Sequence, residues 1–147
     1  MATHTFVNMV ETPIEVVWSK ATNLRGLERF FGGNITFLNE DGLQPGVEFQ
    51  LKTKGLIKEV FTRGYIVEEV HRPYKLVVKW QGSEMLTSVA IEWRFLFWQG
   101  FDSTLVQLEV EEKTQGLPQL EIPVLKVILQ KRELKKQFKK LVQHIES

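Results

Sequence analysis

The sequence predicts an α+β fold in which one antiparallel sheet is closed by a long C-terminal helix. Between residues 34 and 113, apolar and polar residues largely alternate with a period of two, which is typical of half-buried strands. From Pro123 to Ile145, apolar residues instead recur every three or four positions, as they do on one face of a helix. The short connections between the predicted strands favour antiparallel neighbours, and a sheet with helices on one side is the α+β architecture.

The N-terminal part predicts one strand, Thr3 to Glu11, followed by two short helices. Thr12-Pro13-Ile14-Glu15 has the form of a capping box, with threonine at the N-cap and proline at the first helical position. The first helix is expected to bury Ile14, Val17, Trp18 and Ala21. The second helix, Asn23 to Phe31, is expected to end at Gly32-Gly33. Its predicted inward residues are Leu24, Leu27, Phe30 and Phe31.

Six further strands are predicted before the last helix, which makes seven in total. Two short ones are marked by Ile35 and Phe37 and by Val47, Phe49 and Leu51; the others are Leu56–Val70, Tyr74–Gln81, Glu84–Trp98 and Thr104–Lys113. Gly64 is expected to mark a bulge or a close backbone approach, and Gly82-Ser83 a break. Period-two alternation predicts that the side chains of Trp80, Trp93, Phe95 and Phe97 face the helix. In Leu56–Val70 two assignments stay open, because either Arg63 and Tyr65 or Val60, Gly64 and Ile66 could form the inner set.

The C-terminal helix presents an apolar stripe. Its members are Val124, Val127, Leu134, Phe138, Leu141, Val142 and Ile145. Lys131 interrupts the stripe, either because its stem packs while its amine reaches water, or because its cation points into an internal cavity. Ile122, Leu125, Ile128 and Leu129 make the N-terminal half apolar on nearly every side. That extra apolar surface predicts a covering loop, a homodimer contact or a gate over a ligand.

Composition is that of a globular protein with a single domain spanning residues 1–147. The chain has 43% hydrophobic and 25% charged residues, and no linker or repeat divides it. Its net charge of +1 provides no bulk field that would attract nucleic acid or an anionic membrane. The lack of cysteine excludes disulfides, thiolate metal sites and a cysteine nucleophile. Without a signal-peptide pattern or an apolar run long enough to span a bilayer, a soluble, cytoplasmic protein is expected.

No catalytic or metal-binding pattern emerges from the sequence. His4, His71 and His144 do not have the spacing of metal ligands, and no nucleophile-elbow motif is present. The acidic pairs Glu68-Glu69 and Glu111-Glu112 each place at most one carboxylate on the inner face, because neighbouring strand residues point to opposite faces. No catalytic residue, metal or cofactor is therefore predicted. Arg63 and Tyr65 are the side chains that could donate a hydrogen bond to a ligand oxygen.

Three stretches carry a resemblance to a known superfamily. They are Val10-Glu11-Thr12-Pro13-Ile14-Glu15-Val16-Val17-Trp18, then Gly64-Tyr65-Ile66-Val67-Glu68-Glu69-Val70 with Pro73 and Leu76, and the C-terminal helix. Together they resemble the START-like superfamily, also called SRPBCC, which has the helix-grip fold. The resemblance implies a seven-stranded antiparallel sheet wrapped around the C-terminal helix, with an apolar cavity between them. It also implies that the cavity holds a hydrophobic small molecule or lipid.

Ligand-binding residues are expected where the inner face of the sheet meets the helix. The candidates are Tyr65, Trp80, Trp93, Phe95, Phe97, Val127, Lys131, Leu134 and Phe138. Each aromatic ring has an alternative role, because large rings on a concave sheet fill a core as readily as they line a pocket. Two other functions stay open: an enzyme resembling polyketide cyclases or dehydratases, and a protein-interaction module resembling chaperone activators.

Overall fold

The computed structural model describes residues 2–38, 42–54, 60–84, 87–116 and 124–147, excluding the side chains of residues 2, 54, 60–62, 83–84, 87, 115–116 and 124–130. The elements are, in chain order, β1 (Ala2–Val10), α1 (Ile14–Thr22), α2 (Leu24–Phe31), β2 (Asn34–Phe37), β3 (Glu48–Lys54), β4 (Val60–His71), β5 (Lys75–Glu84), β6 (Thr87–Gln99), β7 (Thr104–Gly116) and α3 (Val124–Glu146). The seven strands form one antiparallel sheet in the order β1-β7-β6-β5-β4-β3-β2. The predicted α+β fold and the predicted order of elements are confirmed.

The first strand of the chain pairs with the last strand. β1 pairs with β7 from Ala2 opposite Glu112 to Val10 opposite Thr104, and β1 is an edge strand. On the inner face, which the helices cover, the Phe6 ring stacks on Phe138 of α3 with their centroids 5.9 Å apart. The sheet edge and the C-terminal helix are therefore joined directly.

The predicted capping box at the start of α1 is wrong. Pro13 itself is the N-cap, with an extended ψ of 147°, and no side chain caps the helix. Instead, the Thr12 carbonyl oxygen accepts a 2.7 Å hydrogen bond from Thr104 Oγ1, which ties this turn to β7. A proline φ near −61° fits either the N-cap or the first helical position, so the motif alone does not distinguish them.

The helix α2 begins and ends largely as predicted. Asn23 caps it by accepting a 2.7 Å hydrogen bond from the Gly26 N–H, and Gly32 ends it with a positive φ of 76°. Leu27, Phe30 and Phe31 are buried as expected. The prediction that Leu24 is buried is wrong, since it is 47% exposed in the first turn.

Two glycines play different roles from those predicted. Gly82 does not end a strand, because β5 continues to Glu84 and pairs with β6 throughout. Gly64 is not at the β4 bulge: the register between β4 and β5 shifts between Val67 and Glu69. Burial decides between the two assignments left open for β4, in favour of the face of Arg63 and Tyr65. Tyr65 and Val67 are buried, whereas Ile66 is 40% exposed.

Charged side chains form a network on the outer face of the sheet. The Arg94 guanidinium donates to Glu109 at 3.0 Å and to Glu111 at 3.1 Å, and it also pairs with Glu92. The hydrogen bond from Arg94 holds the pKa of the Glu111 carboxyl below its ordinary value. Because neighbouring carboxylates repel each other, one cation among three of them has a greater effect than an isolated surface pair.

We expect Arg94→Met to destabilise the fold more at neutral pH than in acid. A carboxyl whose pKa is lowered by folding stabilises the native state above its unfolded pKa of about 4.3, and that contribution is lost as the pH falls through the folded pKa. Urea denaturation at pH 7 and pH 3 measures the difference. Lys52→Met is the control, since Lys52 is an exposed lysine without an ion pair among the described residues. A loss for Arg94→Met that is equal at both pH values would contradict the network.

The helix α3 matches its predicted boundaries and packs through its C-terminal half. Phe138, Leu141, Val142 and Ile145 are buried against α1, α2 and β1. In the part of the chain that the structure describes, no helix is both long and apolar enough to cross a membrane. The extra apolar residues predicted to form a loop contact, a dimer contact or a gate (Ile122, Leu125, Ile128 and Leu129) lie outside the described side chains.

Candidate functional site

The strand register arranges the inner face of the sheet in successive rows. Phe95 lies between Leu76 and Leu108, and Trp93 lies between Val78 and Val110. The next row places Ile91 between Trp80 and Glu112. Burial falls along these rows: Phe95 and Trp93 are buried, whereas Ile91, Trp80 and Glu112 are only half-buried.

An aromatic cluster closes the first two rows. Phe31 of α2 contacts Trp93 edge-on at 5.3 Å and Tyr65 at 5.0 Å, and Phe30 contacts Phe95 at 5.0 Å, all measured between ring centroids. Tyr65 also stacks on Phe49 at 5.1 Å. These rings fill the space beneath α2 and form the centre of the core.

Four of the predicted ligand-binding residues therefore pack against α1 and α2. Tyr65, Trp93 and Phe95 belong to the cluster beneath α2, and Phe97 meets Trp18 of α1 edge-on at 5.8 Å. These contacts are those of rings that fill a core, which is the alternative to lining a pocket. A role of their exposed edges in ligand binding stays a prediction.

Beyond the cluster, the inner face is more open and carries a stacked pair. The Arg63 guanidinium carbon lies 4.9 Å from the centroid of the Trp80 ring. The Trp80 ring itself lies over Gly82, where an added Cβ would stand 2.4 Å from Trp80 Cζ2. Only a glycine at this position lets the indole lie flat along the strand. Arg63 is exposed, and it shares the inner face with Tyr65.

Along the inner stripe of α3, the side chains become less buried from the C-terminal end toward the N-terminal end. Ile145, Leu141 and Phe138 are buried, Leu134 is half-buried and Lys131 is exposed. The exposure of Lys131 agrees with an amine that reaches water. Its predicted contact with a ligand stays a prediction. Val127, another predicted ligand-binding residue, lies among the side chains that are not described.

The side chains of α3 and those of the inner sheet face both become less buried toward the same end of the sheet. Lys20 Nζ of α1 donates to the Ile145 carbonyl oxygen at 3.2 Å, which places the C-terminal end of α3 beside α1. Phe138 lies over Phe6, which is in the row of Phe95. The residues of α3 that precede Phe138 therefore lie toward the end of the sheet where Ala2 pairs with Glu112, which is the row of Trp80.

The strands β4 and β5 separate next to this open region. Their ladder ends at Ile66 opposite Lys79, although β4 continues to Val60 along β3 and β5 continues to Glu84 along β6. On the outer face of the sheet, a pocket of about 730 Å³ lies at this separation. Its lining includes Gly64, Gln81 and Lys79, residues from both separated strands.

Two polar side chains on the inner face near the separation, Tyr65 and Arg63, are donors. Burial raises the pKa of the Tyr65 phenol, and the nearby Arg63 opposes part of that rise through its charge and a hydrogen bond. Tyr65 is therefore a neutral donor at ordinary pH. Among the described residues, no three acidic or histidine side chains come close enough together to hold a metal ion.

The acidic pairs lie as the strand alternation predicts. Glu111 is on the outer face with Arg94, whereas Glu112 is half-buried on the inner face. Glu68 points outward to Lys79 at 2.7 Å.

Sequence reasoning missed Gly82 as part of the site. It treated Gly82 as a break, but Trp80 and Gly82 share a strand face two positions apart. A glycine next to a large ring on one face indicates a close approach as well as a turn, and that pattern was the available signal.

Comparison with known proteins identifies the fold. No family model matches the chain, and no curated protein does. Among solved structures, a conserved protein from Geobacillus kaustophilus has a TM-score of 0.72 at 17% identity, covering 98% of this chain and 95% of that one. Ara h 8.0201 has a TM-score of 0.66 at 10% identity, covering 98% of both chains. DynU16, a protein from the dynemicin biosynthetic locus, has a TM-score of 0.68 at 14% identity, with 99% of this chain matching 47% of that one. The chain therefore has the helix-grip fold.

Proposed function

We propose that this protein binds a hydrophobic small molecule or lipid between the inner face of the sheet and α3. The observation that carries the proposal is the shared loss of burial along the two facing surfaces. On the sheet, burial falls from Phe95 to Trp80, and on α3 it falls from Phe138 to Lys131. Two partly apolar surfaces that diverge from a packed core form a cleft, which is the usual shape of a small-molecule site.

The polar groups support binding rather than catalysis. Tyr65 is neutral, since burial raises the pKa of its phenol, so it is suited to donate a hydrogen bond and unsuited to act as a base. Arg63 is a permanent cation. Both residues can orient a ligand oxygen, and neither supplies the proton acceptor that a cyclization or dehydration requires.

The first experiment asks whether an apolar molecule binds at all. Native mass spectrometry of gently purified protein would detect a retained ligand, and titration with the neutral dye Nile red would report an apolar site through its fluorescence. We expect saturable binding of the dye. Absence of both a retained species and dye binding would contradict the proposal.

Two tryptophan substitutions locate the site. Ile91→Trp adds bulk to the half-buried inner face, and Ala90→Trp adds the same bulk to the outer face one residue away. We expect Ile91→Trp to weaken dye binding at least about tenfold and Ala90→Trp to leave it unchanged, with circular dichroism checking that both variants fold. Equal affinities for the two variants would place the dye elsewhere on the molecule.

A further inference from the structure

Arg63 is a cation on the inner face with no carboxylate partner among the described residues. Ion pairs on the central strands occupy the outer face instead, where Arg94 pairs with Glu109 and Lys79 with Glu68. Arg63 pairs in register with Leu51 of β3, on the face that carries Tyr65 and Phe49. Because Arg63 is exposed, its guanidinium is accessible to a ligand.

The contact with Trp80 places the guanidinium next to an aromatic ring. Its carbon lies 4.9 Å from the ring centroid, within the range of a cation–π interaction. A guanidinium carries five N–H donors in a planar fork, which can bind two oxygens of one anion. Gly82 in turn leaves room for the indole.

Arg63 is a cation on the strand that also contributes Tyr65 to the aromatic cluster. Glu112 faces inward from β7, with β6 and β5 between it and β4, or roughly 14 Å away at about 4.8 Å per strand. Lys131 of α3 is exposed. Tyr65, on the same strand face as Arg63, can donate a second hydrogen bond to an oxygen held there.

We propose that the ligand is an amphipathic acid, whose anionic oxygens bind Arg63 beside Trp80 where β4 and β5 separate, and whose apolar body lies along the half-open inner face. This proposal rests on the proposed function and names its ligand class. The anionic group is a carboxylate or a phosphate, since the fork of an arginine accepts either.

The test uses two fluorescent probes with the same apolar body. Pyrenebutyric acid carries a carboxylate, and pyrenebutanol carries a neutral hydroxyl in its place. We expect the wild-type protein to bind the acid at least tenfold more tightly than the alcohol. Arg63→Met should remove that preference by weakening only the acid. Lys79→Met is the matched control, because Lys79 is a cation on the outer face at the same separation.

The outcomes separate this inference from the proposed function. If neither probe nor Nile red binds the wild-type protein, the proposed function fails. If both probes bind equally and Arg63→Met changes neither, the ligand class is wrong while the proposed function stands. If Lys79→Met rather than Arg63→Met removes the preference for the acid, the anion binds on the outer face and the inference is overturned.

Competition then distinguishes the sources of the anion. Displacement of pyrenebutyric acid by dodecanoate supports a carboxylic acid, and displacement by dodecyl phosphate supports a phosphorylated lipid. Displacement by inorganic phosphate at the same concentration would overturn the proposal, because an anion without an apolar body would then be sufficient. Melting temperatures of all variants, measured without ligand, confirm that the differences arise from folded protein.

Discussion

Replacing Trp93 by alanine is expected to lower the free energy of unfolding by about 3–5 kcal/mol. Trp93 is 7% exposed in the middle of β6, and its ring contacts Phe31 at 5.3 Å and Tyr65 at 5.5 Å. Truncation leaves a cavity where α2 meets the sheet, and the rigid neighbouring rings cannot collapse into it fully. Urea denaturation followed by circular dichroism measures the loss.

Trp98 provides the matched control on the same strand. It is 54% exposed on the outer face, where its indole N–H donates to Gln107 at 3.0 Å. Trp98→Ala is expected to cost less than about 1 kcal/mol, the scale of ordinary surface changes. Similar losses for the two tryptophans would mean that burial at Trp93 does not determine its contribution.

Gly26→Ala is the second large effect that we expect. A Cβ at Gly26 would stand 2.1 Å from the Lys20 carbonyl oxygen and 2.7 Å from that of Ala21, both backbone atoms of α1. Because backbone atoms cannot rotate away as a side chain can, α1 and α2 must move apart. Overpacking of this kind costs about 1–3 kcal/mol, and more where the backbone resists.

Gly64→Ala is the control for the glycine substitution. Among the described residues, and apart from its two chain neighbours, no heavy atom lies within 4 Å of the position that a Cβ would take at Gly64. Its free energy of unfolding is expected to stay within about 0.5 kcal/mol of wild type. Thermal melts of both variants, with chemical denaturation as the second measurement, test the difference. Equal stability of the two variants would show that the close approach of α1 and α2 relaxes at little cost.

Which side chains of β5, β6 and β7 face the core could be predicted, because apolar and polar residues alternate along these strands without interruption. Once Trp93 is assigned to the inner face, a period of two places Phe95 and Phe97 there as well, and pairing with β5 adds Trp80. The facing of β4 could not be predicted in the same way. Before the register shift between Val67 and Glu69, the odd-numbered Tyr65 and Val67 face the core. After it, the even-numbered Val70 does, because a bulge adds one residue to the strand. A bulge depends on the partner strand, which a local pattern does not contain.

The exposure of Lys131 could not be predicted from the sequence, for a different reason. The helical period places it on the stripe of Leu134 and Phe138, yet its side chain is exposed. Periodicity identifies which side of a helix faces the sheet, but it does not say how far the opposing surface continues. The stacked pair of Arg63 and Trp80 has the same origin, because it requires two strands that separate after Ile66 and Lys79.

The adjacency of β1 and β7 determines the order in which the chain can assemble. Strands β2 to β7 are each neighbours of the next strand in sequence, so successive hairpins can form locally as the chain lengthens. β1 instead pairs with residues that lie up to 110 positions later in the sequence, since Ala2 pairs with Glu112 (112 − 2 = 110). It cannot pair before β7 is present. Contacts of such long sequence separation form slowly, because the loop-closure entropy comes before their stabilisation. We therefore expect folding to proceed by local hairpin additions followed by one long-range closure. During synthesis on the ribosome, β1 is the strand that remains unpaired longest.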